Sequence, residues 1–341
     1  MNRDRSIYRR RGRRRATSLP GIEALEVRRV LAQVAGAIEE DTVWSLDESP
    51  YEVIGDIDVE SGVTLEIEPG VEVLFHEGTR LNVNGRILAE GTPTQRIRFD
   101  RAPGESDWEG LRFRDTLADS RITYADMAHG DDQGEAIDLE RSRLLLDHVT
   151  WTGTSGTILE LENPSLIVRN SHFPTSRGGE IVHGTQLAGN EYLIFDGNVF
   201  ENSNNGGDVI DFLGADRPGP VLQILNNVFM GGGDDGLDLD GTDAHVEGNL
   251  FMNFRKNTGR NTTDNAIATG LPKTGADNRT EITVVRNIFV NNDHDLLLKE
   301  DAFATVEHNV FVNSQEAVIQ FNEVGGTSVR GAGPVSYTHL R

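Results

Sequence analysis

From residue 150 onward the apolar positions of the chain fall into columns. The triplet Asn, aliphatic, Phe occurs at Asn198-Val199-Phe200, Asn227-Val228-Phe229, Asn249-Leu250-Phe251, Asn287-Ile288-Phe289 and Asn309-Val310-Phe311. Aromatics at Trp151 and Phe173 extend the column upstream, and the successive spacings are 22, 27, 29, 22, 38 and 22 residues. A short period broken by insertions is the signature of a solenoid whose loops vary while its core does not. A second column follows at Ile158-Leu159, Ile181-Val182, Val209-Ile210, Leu237, Ile267, Leu296-Leu297 and Val318-Ile319. These segments are short, β-rich and bounded by Gly, Asp or Asn. None sustains a 3.6-residue period over three turns, so the pattern predicts strands. Coils stacked at roughly 4.8 Å place like on like: an aliphatic ladder, an aromatic ladder, and an Asn ladder whose amides bond to the backbone and to one another.

Upstream, alternation is clean in Val63-Thr64-Leu65-Glu66-Ile67 and Val71-Glu72-Val73-Leu74-Phe75, with Pro69-Gly70 marking the turn between them. A basic coil of 22 residues holding short strands resembles the right-handed parallel β-helix, an all-β, single-stranded solenoid. A β-propeller needs blades of about 40 residues. The run from Leu65 through Phe75, with Gly85-Arg86-Ile87-Leu88-Ala89-Glu90-Gly91-Thr92 after it, resembles the first coils of bacterial β-helix repeat proteins of the pectate-lyase-like superfamily. The resemblance implies one β-helical domain over residues 38–333, with residues 39–51 covering the open end, where an exposed edge invites pairing with another chain. Ala136-Ile137-Asp138-Leu139 falls at the strand place later filled by Gly236-Leu237-Asp238-Leu239. His129, His148, His172 and His183 lack metal-ligand spacing and read as turn or surface residues, and Gly130-Asp131-Asp132 reads as a turn.

Charge is unevenly distributed. The net charge is −23, yet residues 1–30 hold 10 Arg and 3 acids, which leaves 22 basic against 52 acidic residues on the remainder. An acidic body disfavours nucleic acid and anionic membranes as partners. No apolar run approaches the roughly 18 residues of a membrane helix. Cysteine is absent, which excludes disulfides and thiolate metal sites. Residues 1–36 read as a basic, disordered leader. Leu25-Glu26-Val27-Arg28-Arg29-Val30-Leu31-Ala32 resembles the export leaders of planctomycete-type bacteria, which implies an extracellular or cell-surface location. The longest insertion, between Phe254 and Ile282, carries Arg255, Lys256, Arg260, Lys273 and Arg279, and long loops on a rigid scaffold are where binding residues gather. The last seven residues, Val335 to Arg341, resemble the translation of a sequencing adaptor. That resemblance implies a non-native tail without packed contacts, and a natural chain that continues past Phe321 into further coils or another domain.

The candidate chemistry lies in carboxylates. Asp234-Asp235-Gly236-Leu237-Asp238 follows Asp208 by about one coil, and Asp211 follows Asp208 as Asp238 follows Asp235. Coils in register stack Asp208 near Asp235 and Asp211 near Asp238. Such a group calls for a hard cation, raised pKa values or full exposure, and Ca²⁺ suits an all-oxygen set in flexible geometry. A solvated, solubilising face is the competing reading. The arrangement resembles the calcium site of family-nine pectate lyases, and that resemblance implies Asp208, Asp234, Asp235 and Asp238 as ligands. Those enzymes place a lysine base on the following coil, where this chain has Ala268. Lys299 lies a coil further on and one residue out of phase, and Lys273 sits in the insertion. The expected function is therefore an exported β-helix module for recognition or scaffolding at the cell surface, binding polysaccharide or a surface component with Ca²⁺. The alternatives are a Ca²⁺-dependent pectate-type lyase and a glycoside hydrolase, since the fold alone does not choose among them.

Overall fold

The structure, a computed structural model, describes residues 32–131, 134–187, 189–203, 206–256, 264–271, 279–321 and 330–340. Leu31 to Arg341 is one compact unit: an all-β, parallel, single-stranded solenoid of about 11 turns with coils of roughly 24 residues. The mean exceeds the basic repeat because insertions lengthen some turns. One side-chain ladder steps by 22 residues between Asn227 and Asn249 and by 38 between Asn249 and Asn287. Strands on successive coils pair in parallel register and form three faces. One face runs through Glu135–Glu140, Thr157–Glu162, Val182–Leu187, Ile210–Ala215, Asp235–Thr242 and Asn265–Gly270. The second contains Ser165–Arg169, Tyr192–Asp196 and Leu222–Leu225, and the third Val199–Phe200, Val228–Phe229 and Leu250–Met252.

Both columns expected from the sequence are present. Leu159, Val182, Ile210, Leu237, Ile267, Leu296 and Ile319 pair coil upon coil. Trp151, Phe173, Phe200, Phe229, Phe251, Phe289 and Phe311 stack with ring centroids 4.5 to 5.1 Å apart, fully buried. Planes stay near parallel because each ring leaves the same place on its coil and strand spacing sets the ring spacing. Beside them runs the Asn ladder. The backbone N–H and side-chain amide of Asn198 donate to Asn227 Oδ1 (2.8 and 3.0 Å), and those of Asn227 donate to Asn249 Oδ1 (2.8 and 3.0 Å). The pattern repeats to Asn287 and Asn309, and each of Asn198, Asn227, Asn249 and Asn287 also donates to a buried carbonyl.

The alternation places one residue on each side of every ladder aromatic outward. Around Trp151 these are Thr150 and Thr152, and around Phe200 they are Val199 and Glu201. Around Phe229, Phe251, Phe289 and Phe311 they are Val228 and Met230, Leu250 and Met252, Ile288 and Val290, Val310 and Val312.

Three expectations need correction at the ends. Strand Ala32–Ile38 pairs with Tyr51–Val59, so the paired body begins inside the expected leader; the rest of that leader, residues 1–31, lies outside the described residues. Residues 39–51 are the remainder of this first coil, not a cover over the next: Thr42–Trp44 pairs with Thr64–Ile67, and Trp44 stacks on Tyr51 at 4.9 Å. Val335–Leu340, expected to make no packed contacts, forms a strand parallel to Phe303–Val312. Its Val-Ser-Tyr-Thr-His-Leu sequence alternates and is β-prone, which suffices for pairing. Among the described residues no helix is long and apolar enough to cross a membrane.

Candidate functional site

The first face presents the outward residues of its strands as columns. Register places Asp138, Glu160, His183, Asp211, Asp238 and Ala268 in one column. Each follows an inward aliphatic (Ile137, Leu159, Val182, Ile210, Leu237, Ile267), so the core strand turns the first five outward, while Ala268 is fully buried. A second column lies at the turn entering each strand. Asp208 Oδ1 accepts the Asp235 N–H (2.8 Å). Asp235 Oδ1 accepts the Asn265 N–H (3.1 Å) and side-chain amide (2.7 Å), and Asn265 Oδ1 faces His294 Nδ1 at 3.0 Å. This repeats the logic of the Asn ladder with carboxylates in two of its places. Asp208 and Asp235 therefore stack as the sequence predicts, as do Asp211 and Asp238.

Electrostatics tie the columns together. Burial, then the charges of Asp235 and Asp238, hold Asp208 well above the ordinary carboxylate range, with Asp234 adding to the effect. Burial, then Asp238 and Asp234, do the same to Asp235, while Lys299 and the Asn265 amide oppose the rise. Asp211 is pushed up to about 7 by burial and by Asp238, with His183 pulling the other way. All four carboxylates singled out from the sequence thus belong to one interacting group. The tightest convergence involves a different set: ligand oxygens of Glu180, Asp208 and Asp211 lie within 4.8 Å of one another, each residue partly buried.

Glu180 and His183 are the residues that sequence reasoning missed. Glu180 precedes Ile181-Val182 as Asp208 precedes Val209-Ile210, so aligning coils on the aliphatic column finds it. Of the two places expected for it, turn or surface, His183 takes the surface one. It sits outward in strand Val182–Leu187 one coil before Asp211, with Nδ1 2.7 Å from Glu160 Oε1. That hydrogen bond raises its pKa, helped by Asp211 and Glu180. The other three histidines each contact a carboxylate: His129 that of Asp100 (2.8 Å), His148 that of Asp147 (2.7 Å) and His172 that of Glu201 (3.1 Å). Asp131 accepts the Gly156 N–H (2.9 Å) across a turn.

Around the carboxylates, two further positions matter. Ala268 pairs with Asp238 and then with Leu297. Lys299 is therefore two positions beyond the Ala268 column, not one, and its ammonium is near enough to act on Asp235. Lys273 and Arg260 lie outside the described residues. Toward the amino-terminal coils the same face turns mixed, with Arg112 and Arg114 both paired to Asp138 (3.4 and 2.5 Å).

No family model matches the chain. A 62-residue stretch, 18% of the chain, is 45% identical to Protein bark beetle of Drosophila melanogaster, and it spans 2% of that protein's length. Two solved structures are similar at low scores. The alginate lyase from Paenibacillus sp. str. FPU-7 has a TM-score of 0.46 and 17% identity, over 74% of this chain and 92% of that one. The Streptococcus pneumoniae surface protein and adhesin PfbA has a TM-score of 0.34 and 12% identity, over 91% and 92%. At these levels neither likeness says what this chain binds.

Proposed function

We propose that the chain is an exported, cell-surface β-helix module that recognises acidic polysaccharide through a Ca²⁺ ion held on its carboxylate face. The observation that carries this reading is the convergence of Glu180, Asp208 and Asp211 within 4.8 Å, in register with Asp235 and Asp238 on the next coil. Like charges this close repel unless protonated or neutralised by a cation. Ca²⁺ takes oxygen ligands in flexible geometry, and the donor set here is entirely oxygen. Glu180, Asp208, Asp211 and Asp238 would hold the ion, with Asp234 and Asp235 adding charge. A bound cation would supply attraction for the carboxylates of a uronate chain lying along the sheet. Ala268, beside Asp238, offers no proton acceptor.

One observation favours a second reading, a polysaccharide lyase: Lys299 acts electrostatically on Asp235, which puts a candidate base beside the carboxylate group. A general base must come within about 3 Å of the group it deprotonates.

Calorimetric titration of Ca²⁺ into the full chain, followed by retention on immobilised polygalacturonate or alginate with and without chelator, separates the readings. Binding that Asp211→Asn weakens at least tenfold, with chelator-sensitive retention and no unsaturated product, is expected. A ligand at about 100 times its Kd adds about 2.7 kcal/mol of stability, so thermal unfolding should show the same ion. No heat and no thermal difference would remove the cation. Unsaturated products that Lys299→Ala abolishes would replace recognition with catalysis.

A further inference from the structure

A sheet with one face on the core and one in water is expected to alternate apolar inside and polar outside. On the third face this holds around Trp151, where the outward neighbours are Thr150 and Thr152, and fails from Phe229 to Phe311. Over those four coils both outward neighbours of every ladder aromatic are aliphatic or Met. Ile288 and Met230 are 46% and 45% exposed. The fold makes no demand for this, because the same positions three coils upstream, around Trp151, are threonines. The result is an apolar stripe two residues wide, running along the solenoid axis for roughly 20 Å at about 4.8 Å per coil.

We propose that this stripe is the contact face of a two-fold, antiparallel dimer of the chain. Charge selects the partner. Each copy carries −23, so two copies repel wherever their carboxylates face one another, and the outward positions of the stripe include none. One margin is a ladder of neutral amides, in which Asn291 donates to Asn253 and Asn313 to Asn291, both at 2.9 Å. At the other margin Arg286 is paired with Glu247. Glu201, the first outward acid, stands just beyond the amino-terminal end of the stripe, opposite the strand Val335–Leu340 of an antiparallel mate. Geometry selects the same partner. An apolar array with this repeat needs a mate of equal repeat for its side chains to interleave, and a second copy turned about a two-fold axis provides one. A standard interface buries about 800 Å² on each side, with an apolar centre and a polar rim. The stripe supplies the centre, and the Asn ladder with the Arg286–Glu247 pair supplies the rim.

Sedimentation velocity on the full chain over a range of concentrations, at about 0.15 and 0.5 M NaCl, tests this. The expected result is a two-copy mass that persists at the higher salt, where exposed charges are screened within a few ångströms. Ile288→Asp and Met230→Asp should each weaken association at least tenfold while leaving the thermal midpoint in place at concentrations where the parent is itself monomeric, since both positions face outward. The chain has no cysteine, so Val228→Cys and Val310→Cys chains can be mixed and oxidised. Antiparallel pairing predicts cross-linking between the two variants and little within either. A monomer at every concentration, or association indifferent to both Asp substitutions, overturns the proposal. So does association lost in 0.5 M NaCl, which would assign it to the Arg-rich first thirty residues on the acidic body. Cross-linking within each variant in place of the mixture overturns the antiparallel arrangement.

Discussion

An asparagine inside the ladder, such as Asn227, uses one amide in four bonds, one of them its donation to the Oδ1 of the next asparagine. Its oxygen takes the backbone and side-chain N–H of the coil before, and its nitrogen reaches a carbonyl that would otherwise be buried without a partner. That is why a polar residue stands fully buried beside a column of phenylalanines: an unsatisfied buried group costs about 1–3 kcal/mol. The aromatic neighbour contributes by a different route, through area removed from water and rings packed on both sides. Phe251→Ala should therefore destabilise the chain by about 3–5 kcal/mol in urea unfolding, whereas a loss within about 0.5 kcal/mol would place Phe251 at the surface. Both ladders could be read from the sequence because Asn and Phe are conspicuous and recur at nearly the basic spacing. Glu180 and His183 are less conspicuous, an acid and a histidine at places that later coils fill with aspartate, and they stand out only when the coils are aligned on Val182 and Ile210, which pair in the structure.

At the scale of elements, the sheet that aims Asp211 outward also fixes its pH behaviour. In the unfolded chain its carboxyl titrates near 3.8, and in the folded state near 7. A raised folded value means that the native state binds the extra proton, so this contribution to stability is complete below pH 3.8 and is lost as the pH climbs through about 7. Asp208 and Asp235 shift in the same direction. Asp100, Asp126 and Asp147, whose folded values are lowered, act oppositely and matter below about pH 4. Without divalent cations the thermal midpoint should fall between pH 4 and 7.5, and Asp211→Asn should flatten that fall. A midpoint that rises through this window, or a variant that follows the parent, would contradict it. The pairing of Asp211 with Asp238 was legible because both follow an aliphatic of the second column. The strand at Ala32–Ile38 was not, since small residues and a basic approach hide its alternation. The strand at Val335–Leu340 alternates, but it lacks the Asn and Phe of the coil pattern, and its resemblance to an adaptor translation points away from a strand.

For the molecule as a whole, strand pairing joins each coil to the coil before and the coil after, with a few longer reaches such as Arg96 to the His148 carbonyl, so cohesion is chiefly a sum of neighbour terms. Amide exchange should be slowest in central strands such as Leu222–Leu225 and Ala244–Glu247 and fastest in Thr42–Trp44 near one end. Uniform protection from end to end would point instead to a single all-or-none unit.

The like-on-like ladders carry a consequence for inheritance. From Asn198 to Phe311 each coil shows its neighbours the same Asn, the same Phe and an aliphatic, so a gene segment encoding one whole coil can be copied or deleted there and the two new neighbours still match. A partial coil cannot, because it would set Phe against Asn and turn an inward residue out. The ladder spacings of 22 and 38 residues on successive coils show the other tolerated change, an insertion confined to a turn. Length in such a lineage varies in whole coils and loop ornament varies freely, so the outward columns, which the stack does not constrain, are where selection has room to write a new specificity.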